Sequence, residues 1–284
     1  MTVVVLGDAL IDELRDERGS VDAPGGSALN VAVGLSILGV PAQLVAMYSD
    51  DADGRSLSAH LAGYGVAEFS SPSPLGTGRA ISDRSNGEPR YSFSEAARAR
   101  RITFTPEIRA AIAAAQLVAV SGFPFDDQEQ VDELVDAVRG TTVLLDPNPR
   151  AGFLRDAALF ARNLESFPVR LIKLGEDDAH LLYDAPLDEV VARYSPHTTV
   201  LATAGADGAT VYDHGTTVHR PIVSSAHPVV DTLGAGDATF ASVIASLAGG
   251  ETDWATMLDA AMHIAAATIR NPGGVLQRSV TVSP

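Results

Sequence analysis

Residues 229–240 read VVDTLGAGDATF, and the rest of the chain is best read outward from them. Gly234-Ala235-Gly236 makes a turn of small residues, Asp237 follows, and ATFASVIASLAGG reads as a buried helix closed by Gly249-Gly250. A helix that starts here presents free N–H groups and the positive end of its dipole, an anion site that needs no lysine. The dipole alone would favour an acid in the first turn, which accounts for Asp237 but not for the glycines before it. If the anion is a transferring phosphoryl group, a carboxylate beside it can accept the proton of an attacking hydroxyl. A Walker A loop needs Gly-Lys-Ser/Thr, which the chain lacks. A Rossmann fingerprint needs a third glycine where this stretch has Ala and Thr.

Upstream, apolar runs recur at TVVVLG, AQLVAM, AQLVAVSG, TVLLDPN, VRLIKLG and TTVLATAG, each followed by polar or Gly/Pro turns. Between them lie helical patterns such as Val131, Leu134, Val135 and Val138. This alternation predicts one α/β domain over residues 1–284, a mostly parallel sheet covered by helices. RAISDRSNGEPRYSF departs from it as two short strands around Asn86-Gly87, and DELRDERGSVD offers one strand more. Together, residues 13–22 and 79–94 make a small projecting sheet, either a lid or a surface hairpin.

A net charge of -16 excludes an electrostatic grip on nucleic acid or anionic lipid, so any anion must be held locally. With no cysteine there is no disulfide, thiolate nucleophile or Cys-ligated zinc. No signal peptide or membrane-length apolar run is apparent, and the expected location is cytoplasmic.

In a parallel sheet ligands sit beyond the carboxyl ends of the strands. Asp8 and Asp12 follow the first strand, where carboxylates accept hydrogen bonds from neutral hydroxyls or serve as turn acids. Gly25-Gly26 opens a helix ending at Gly39 and permits close backbone approach, with Asn30 one turn in as donor and acceptor. Arg150 and Lys173 bring positive charge to two neighbouring strand ends, to meet phosphate or to form surface ion pairs. On the helix after Asp253, Trp254, Met257, Leu258, Ala261 and Met262 form the apolar stripe, which puts His263 on the opposite side.

These residues resemble the ribokinase-like (PfkB) carbohydrate kinase family. DTLGAGD (231–237) is similar to its C-terminal signature and GGSALNVA (25–32) to its N-terminal one. SDDADGRSLSAHLAGYGV resembles the acid-acid-x-x-Gly segment, and LATAGADGATVY the Thr-x-Gly-x-x-Gly nucleotide strand and turn. The resemblance implies a three-layer α/β/α fold with a β-sheet lid. It implies ATP- and Mg2+-dependent phosphoryl transfer to a sugar hydroxyl, with sugar and ATP as the partners. Asp237 would be the base, with Gly234 and the amides of Ala235, Gly236 and Asp237 as the anion hole. Asp8, Asp12, Gly25, Gly26, Asn30 and Arg150 would meet sugar. Lys173, Thr203, Gly205, Gly208, Thr232, Gly234 and His263 would line the nucleotide. IKLGEDDA has Gly175 and Asp178 where the family often has Asn and Glu, so Asp178 would reach magnesium through water. DPNPR (146–150) resembles fructokinases and 2-keto-3-deoxygluconate kinases, but YSFSEAA lacks the acid-sugar kinases' Arg, and Arg98, Arg100 and Arg101 are out of register. A fructose-like neutral sugar is therefore the expected substrate. A keto-deoxy sugar acid, a nucleoside, or a sugar-binding role with a weakened kinase site are the alternatives, and the resemblance leaves room for a monovalent cation such as K+ and a homodimer through the lid.

Overall fold

The computed structural model describes residues 2–17, 19–83, 90–224, 228–271 and 276. Its elements run β1 (Val3–Gly7), β2 (Leu10–Asp16), β3 (Gly19–Gly25), α1 (Ser27–Ile37), β4 (Ala42–Ala46), α2 (Ala52–Gly63), β5 (Ala67–Ser70), β6 (Arg79–Asp83), β7 (Arg90–Phe93) and α3 (Glu95–Arg98). There follow α4 (Pro106–Ala114), β8 (Leu117–Ser121), α5 (Gln128–Ala137), β9 (Val143–Asp146), α6 (Ala157–Ser166), β10 (Leu171–Gly175), α7 (Glu176–Tyr183), α8 (Leu187–Tyr194) and β11 (Thr199–Thr203). The chain continues through β12 (Ala209–Asp213), β13 (Thr216–Arg220), α9 (Ala235–Ala248) and α10 (Trp254–Thr268).

The VVVL of β1 shows how the large sheet is held. Val3 and Val5 enter a core shared with α1, α2, α9 and α10, while Val4 and Leu6 enter a second core with α4 to α8. A strand buried on both faces must be apolar throughout, as the sequence runs predicted. The nine strands lie in the order β13-β12-β11-β10-β9-β8-β1-β4-β5. The pairs from β5 to β11 are parallel, and β12 and β13 add an antiparallel edge. From β1 the chain winds to β4 and β5, then returns to β8 on the other side. That reversal places a crevice beyond the ends of β1 and β8, the usual ligand position in such a sheet.

The second sheet has the order β3-β2-β6-β7, with β2 and β6 parallel. One expectation is corrected, and one strand is added. DELRDERGSVD yields a pair of antiparallel strands, β2 and β3, where one strand was expected. β5 was not anticipated at all, because AEFS is short and mostly exposed. The Asn86-Gly87 turn lies outside the described residues. Arg79 anchors the small sheet: both its Nε and Nη2 meet Asp53 of α2 at 2.6 Å, and Asp22 and Glu13 lie at 3.0 and 3.3 Å. Among the described residues no helix is long and apolar enough to cross a membrane.

Candidate active site

The start of α9 carries the first part of the site. Gly234 caps the helix in the left-handed region at φ 74°, a conformation open to glycine at little cost, and turns the chain so that Asp237 falls in the first turn. Asp237 is buried, 7% exposed, and both its oxygens are occupied from α1. Ser27 Oγ donates to Oδ1 at 2.7 Å, and Asn30 Nδ2 donates to Oδ2 at 2.8 Å. Ser27 also lies 2.5 Å from Ser121 Oγ at the end of β8, so β8 is linked to the carboxylate through Ser27. Such a cradle fixes the rotamer of Asp237 and leaves its remaining lone pairs for an incoming hydroxyl. Asn30 Oδ1 is buried without a partner among the described residues, an acceptor held ready beside the acid. Of the three amides expected to form an anion hole, that of Ala235 makes a long 3.4 Å contact back to Thr232 O.

Asp8 and Asp12 lie beyond β1. Ala28 N–H donates to Asp8 Oδ1 at 3.1 Å. Burial raises the pKa of Asp8, opposed by the Arg100 charge. Burial, reinforced by the charge of Asp8, pushes Asp12 up to about 7. Gly25 is required by close approach, since a Cβ there would stand 2.0 Å from Asp12 Oδ2. A cavity of about 20 Å³ at the end of β1, room for about one water, is lined by Asp8, Leu10, Gly78, Arg100 and Gly122 among others. The sequence put Arg100 out of register, yet here its Nε donates to Gly122 O at 3.2 Å and its guanidinium covers the Phe153 ring at 4.3 Å. Phe153 in turn packs on Phe93 of β7, ring centres 4.1 Å apart, which joins the small sheet to this pocket.

At the ends of β9 and β10 sits a second charged group. Lys173 Nζ donates to Oδ1 of Asp146 at 3.0 Å, with Asp146 fully buried and Lys173 6% exposed. Burial works against the ammonium, but Asp146, Asp178 and Asp237 hold its pKa above the ordinary value. Asp146 is itself raised by burial, with Lys173 pulling it back. Asp178 accepts the Gly175 N–H through Oδ2 at 2.6 Å, closing the first turn of α7, and burial raises it too. Arg150 is exposed, and its charge acts on Asp8, Asp12 and Asp178.

The remaining candidates are more open. Thr203 ends β11, Gly205 and Gly208 take φ of 49° and 92° in the turn to β12, and Thr232 is exposed. His263 is exposed on α10 with Nδ1 2.8 Å from Asp259 O, away from the buried Met257, Leu258, Ala261 and Met262. Ser27, Ser121, Asp146 and Arg100 were not chosen from sequence. Ser27 and Asp146 lay within quoted motifs, but nothing local shows that their side chains point at residues 210 and 27 positions away.

The pfkB family carbohydrate kinase model matches residues 2–279. A fructokinase from Rhizobium leguminosarum bv. trifolii is 30% identical over 264 residues, covering 86% of this chain and 79% of that protein. The bifunctional protein HldE of Ectopseudomonas mendocina is 29% identical over 81% of this chain, which spans only 49% of that longer protein. Among solved structures, the adenosine kinase of Sinorhizobium meliloti superposes with a TM-score of 0.80 at 19% identity, covering 96% of this chain and 95% of that one. A fructokinase with bound ATP from Xylella fastidiosa gives 0.78 at 21% identity, covering 96% and 93%.

Proposed function

Because the chain belongs to the pfkB family of carbohydrate kinases, phosphotransferases with an alcohol group as acceptor, we propose that it transfers the γ-phosphoryl group of ATP to a hydroxyl of a small neutral, fructose-like sugar. Asp237 is the general base in this reading. The observation that carries it is the Asp237 carboxylate, clamped by Ser27 and Asn30 at the N-terminus of α9. An anion seated on the amides of Gly236 and Asp237 lies next to the group that takes the proton.

In the step, the sugar hydroxyl gives its proton to Asp237 as its oxygen bonds to the γ-phosphorus. The bond from that phosphorus to the bridging oxygen breaks, and ADP leaves with the electron pair. Asp8, Asp12 and the free Oδ1 of Asn30 supply acceptors for hydroxyls, which suits a neutral polyol better than a carboxylate. Thr203, Gly205, Gly208 and Thr232 line the path of the nucleotide. The small sheet closes as a lid, since water admitted to the site would compete as acceptor.

Magnesium fits the donor set. Asp178 has one oxygen spent on Gly175, and Asp146 Oδ2 is buried without a partner among the described residues, so hard oxygen donors are at hand. No group of three or more metal-binding side chains occurs among the described residues, so the ion would take most ligands from phosphate and water, with Asp178 reaching it through water. When bound it neutralises charge on the phosphates.

The test is ADP release, coupled to a spectroscopic readout, across ketoses, aldoses, keto-deoxy acids and nucleosides. Fastest turnover with a ketose is expected. Sugar binding by calorimetry without ADP release would instead leave a sugar-binding protein.

A further inference from the structure

We infer that Lys173 is a catalytic residue of the phosphoryl transfer and that Asp146 is the positioning residue that aims it; this rests on the sugar-kinase reading. Lys173 is the only lysine in the chain, every other fixed cation being arginine. The protein thus meets its ordinary needs for positive charge with guanidinium and uses an ammonium at one buried place. Geometry gives the reason. A Cβ on Gly236 would lie 3.1 Å from Lys173 Cε and 3.2 Å from Nζ, so the ammonium rests against the bare backbone of the first turn of α9. The planar fork of arginine is bulkier than a point charge on a flexible stem and would crowd that contact.

Structure alone does not call for this pair. Replacing a buried ion pair by apolar side chains is often neutral or stabilising, because both charges give up hydration. What the pair provides is direction. One of the three ammonium protons is committed to Asp146 at 3.0 Å, and the contact with Gly236 places Nζ at the helix end where the anion is to sit. Charge spreads over the phosphoryl oxygens in the transition state, and a preorganised cation beside the helix amides stabilises it there more than in bound ATP. Lys173 moves no proton in this step. Its contribution is electrostatic, and Asp146 keeps it from swinging toward Asp178.

The experiment uses Lys173→Met/Asp146→Leu, Asp146→Asn and Lys173→Cys in the full chain. For the apolar double variant, the expected result is an unchanged or higher melting temperature with kcat down by about 10²- to 10³-fold, the range seen when one transition-state donor is removed. The KM values for ATP and sugar should move by less than about threefold. Asp146→Asn should lower kcat with the sugar KM unchanged. Lys173→Cys carries the only thiol in the chain, so aminoethylation with 2-bromoethylamine in denaturant, followed by refolding, rebuilds an ammonium at this position alone. It should regain at least about tenfold in kcat, and the gain should vanish when Asp146→Asn is added. A folded double variant with kcat near wild type, or an aminoethylated protein that recovers melting temperature but no activity, overturns the proposal. Failure of the wild type to release ADP with any sugar would overturn the kinase reading instead.

Discussion

Asp237 is buried and Asp12 half-buried, and the surroundings of these two carboxylates of the candidate site suit them to different tasks. Asp237 receives two side-chain hydrogen bonds from α1, whereas the causes that dominate at Asp12 are burial and the neighbouring Asp8. Asp237→Asn keeps the shape and one oxygen to accept from Asn30 but not the proton acceptance. Steady-state kinetics should show kcat reduced by about 10²- to 10⁴-fold with smaller changes in KM, and the melting temperature should hardly move. A variant with wild-type kcat would remove Asp237 as base. The folded pKa of Asp12, about 7, lies above its ordinary value of 3.8, so between these the unfolded chain ionises first and folding stability falls as pH rises. Asp12→Asn should flatten the decline in melting temperature between about pH 4 and pH 7, although Asp8 shifts in the same direction and keeps part of the slope. The same variant should also remove a rise in sugar kcat/KM near neutrality, because only the ionised form offers all its lone pairs to hydroxyls. Residues of this kind were legible where a glycine or an acid stood at a predicted strand end. Ser121 and Arg100 were not, because their roles come from contacts across the fold.

Elements were legible in proportion to their burial. β1, β4, β8, β9, β10 and β11 each carry apolar runs because helices cover both faces, and α9 announces itself by small residues between two glycine turns. The small sheet has one face open, so β2 and β3 blend into a charged stretch and their separation into two strands is set by pairing rather than by pattern. Arg79 is the element-scale feature to test. Its bidentate contact with Asp53 ties the small sheet to α2, and its links to Glu13 and Asp22 hold β2 and β3 in line. Arg79→Gln should loosen that attachment. The ratio of ATP hydrolysed without sugar to sugar phosphorylated should rise by severalfold, with kcat lowered and ATP affinity little changed. An unaltered ratio would mean that the anchoring of this sheet does not govern access of water.

At the scale of the whole molecule, the proposed function asks a chain of net charge -16 to bind a polyanion through a helix end, one lysine and at most a few arginines. Its long-range field would oppose the approach of ATP while the local dipoles of the proposed site would hold it. Salt screens the first more than the second, so kcat/KM for ATP should increase between about 20 and 150 mM tetramethylammonium chloride, the reverse of a basic nucleotide-binding protein. A decrease would indicate a cationic approach path that the overall charge conceals. The switch in winding at β1 and β8 could be expected from α/β architecture, but only the resemblance, and not the local pattern, indicated which polar groups would share that crevice. The solitary, buried Lys173 has one more consequence, for the chemistry of amines. Acylating reagents, reactive thioesters and aldehyde cross-linkers ordinarily scatter over a protein's exposed ε-amines, and this chain exposes none. Its one ε-amine is 6% exposed and paired with Asp146, so acyl incorporation at this single residue would serve as a clock for the breaking of that pair in the native protein.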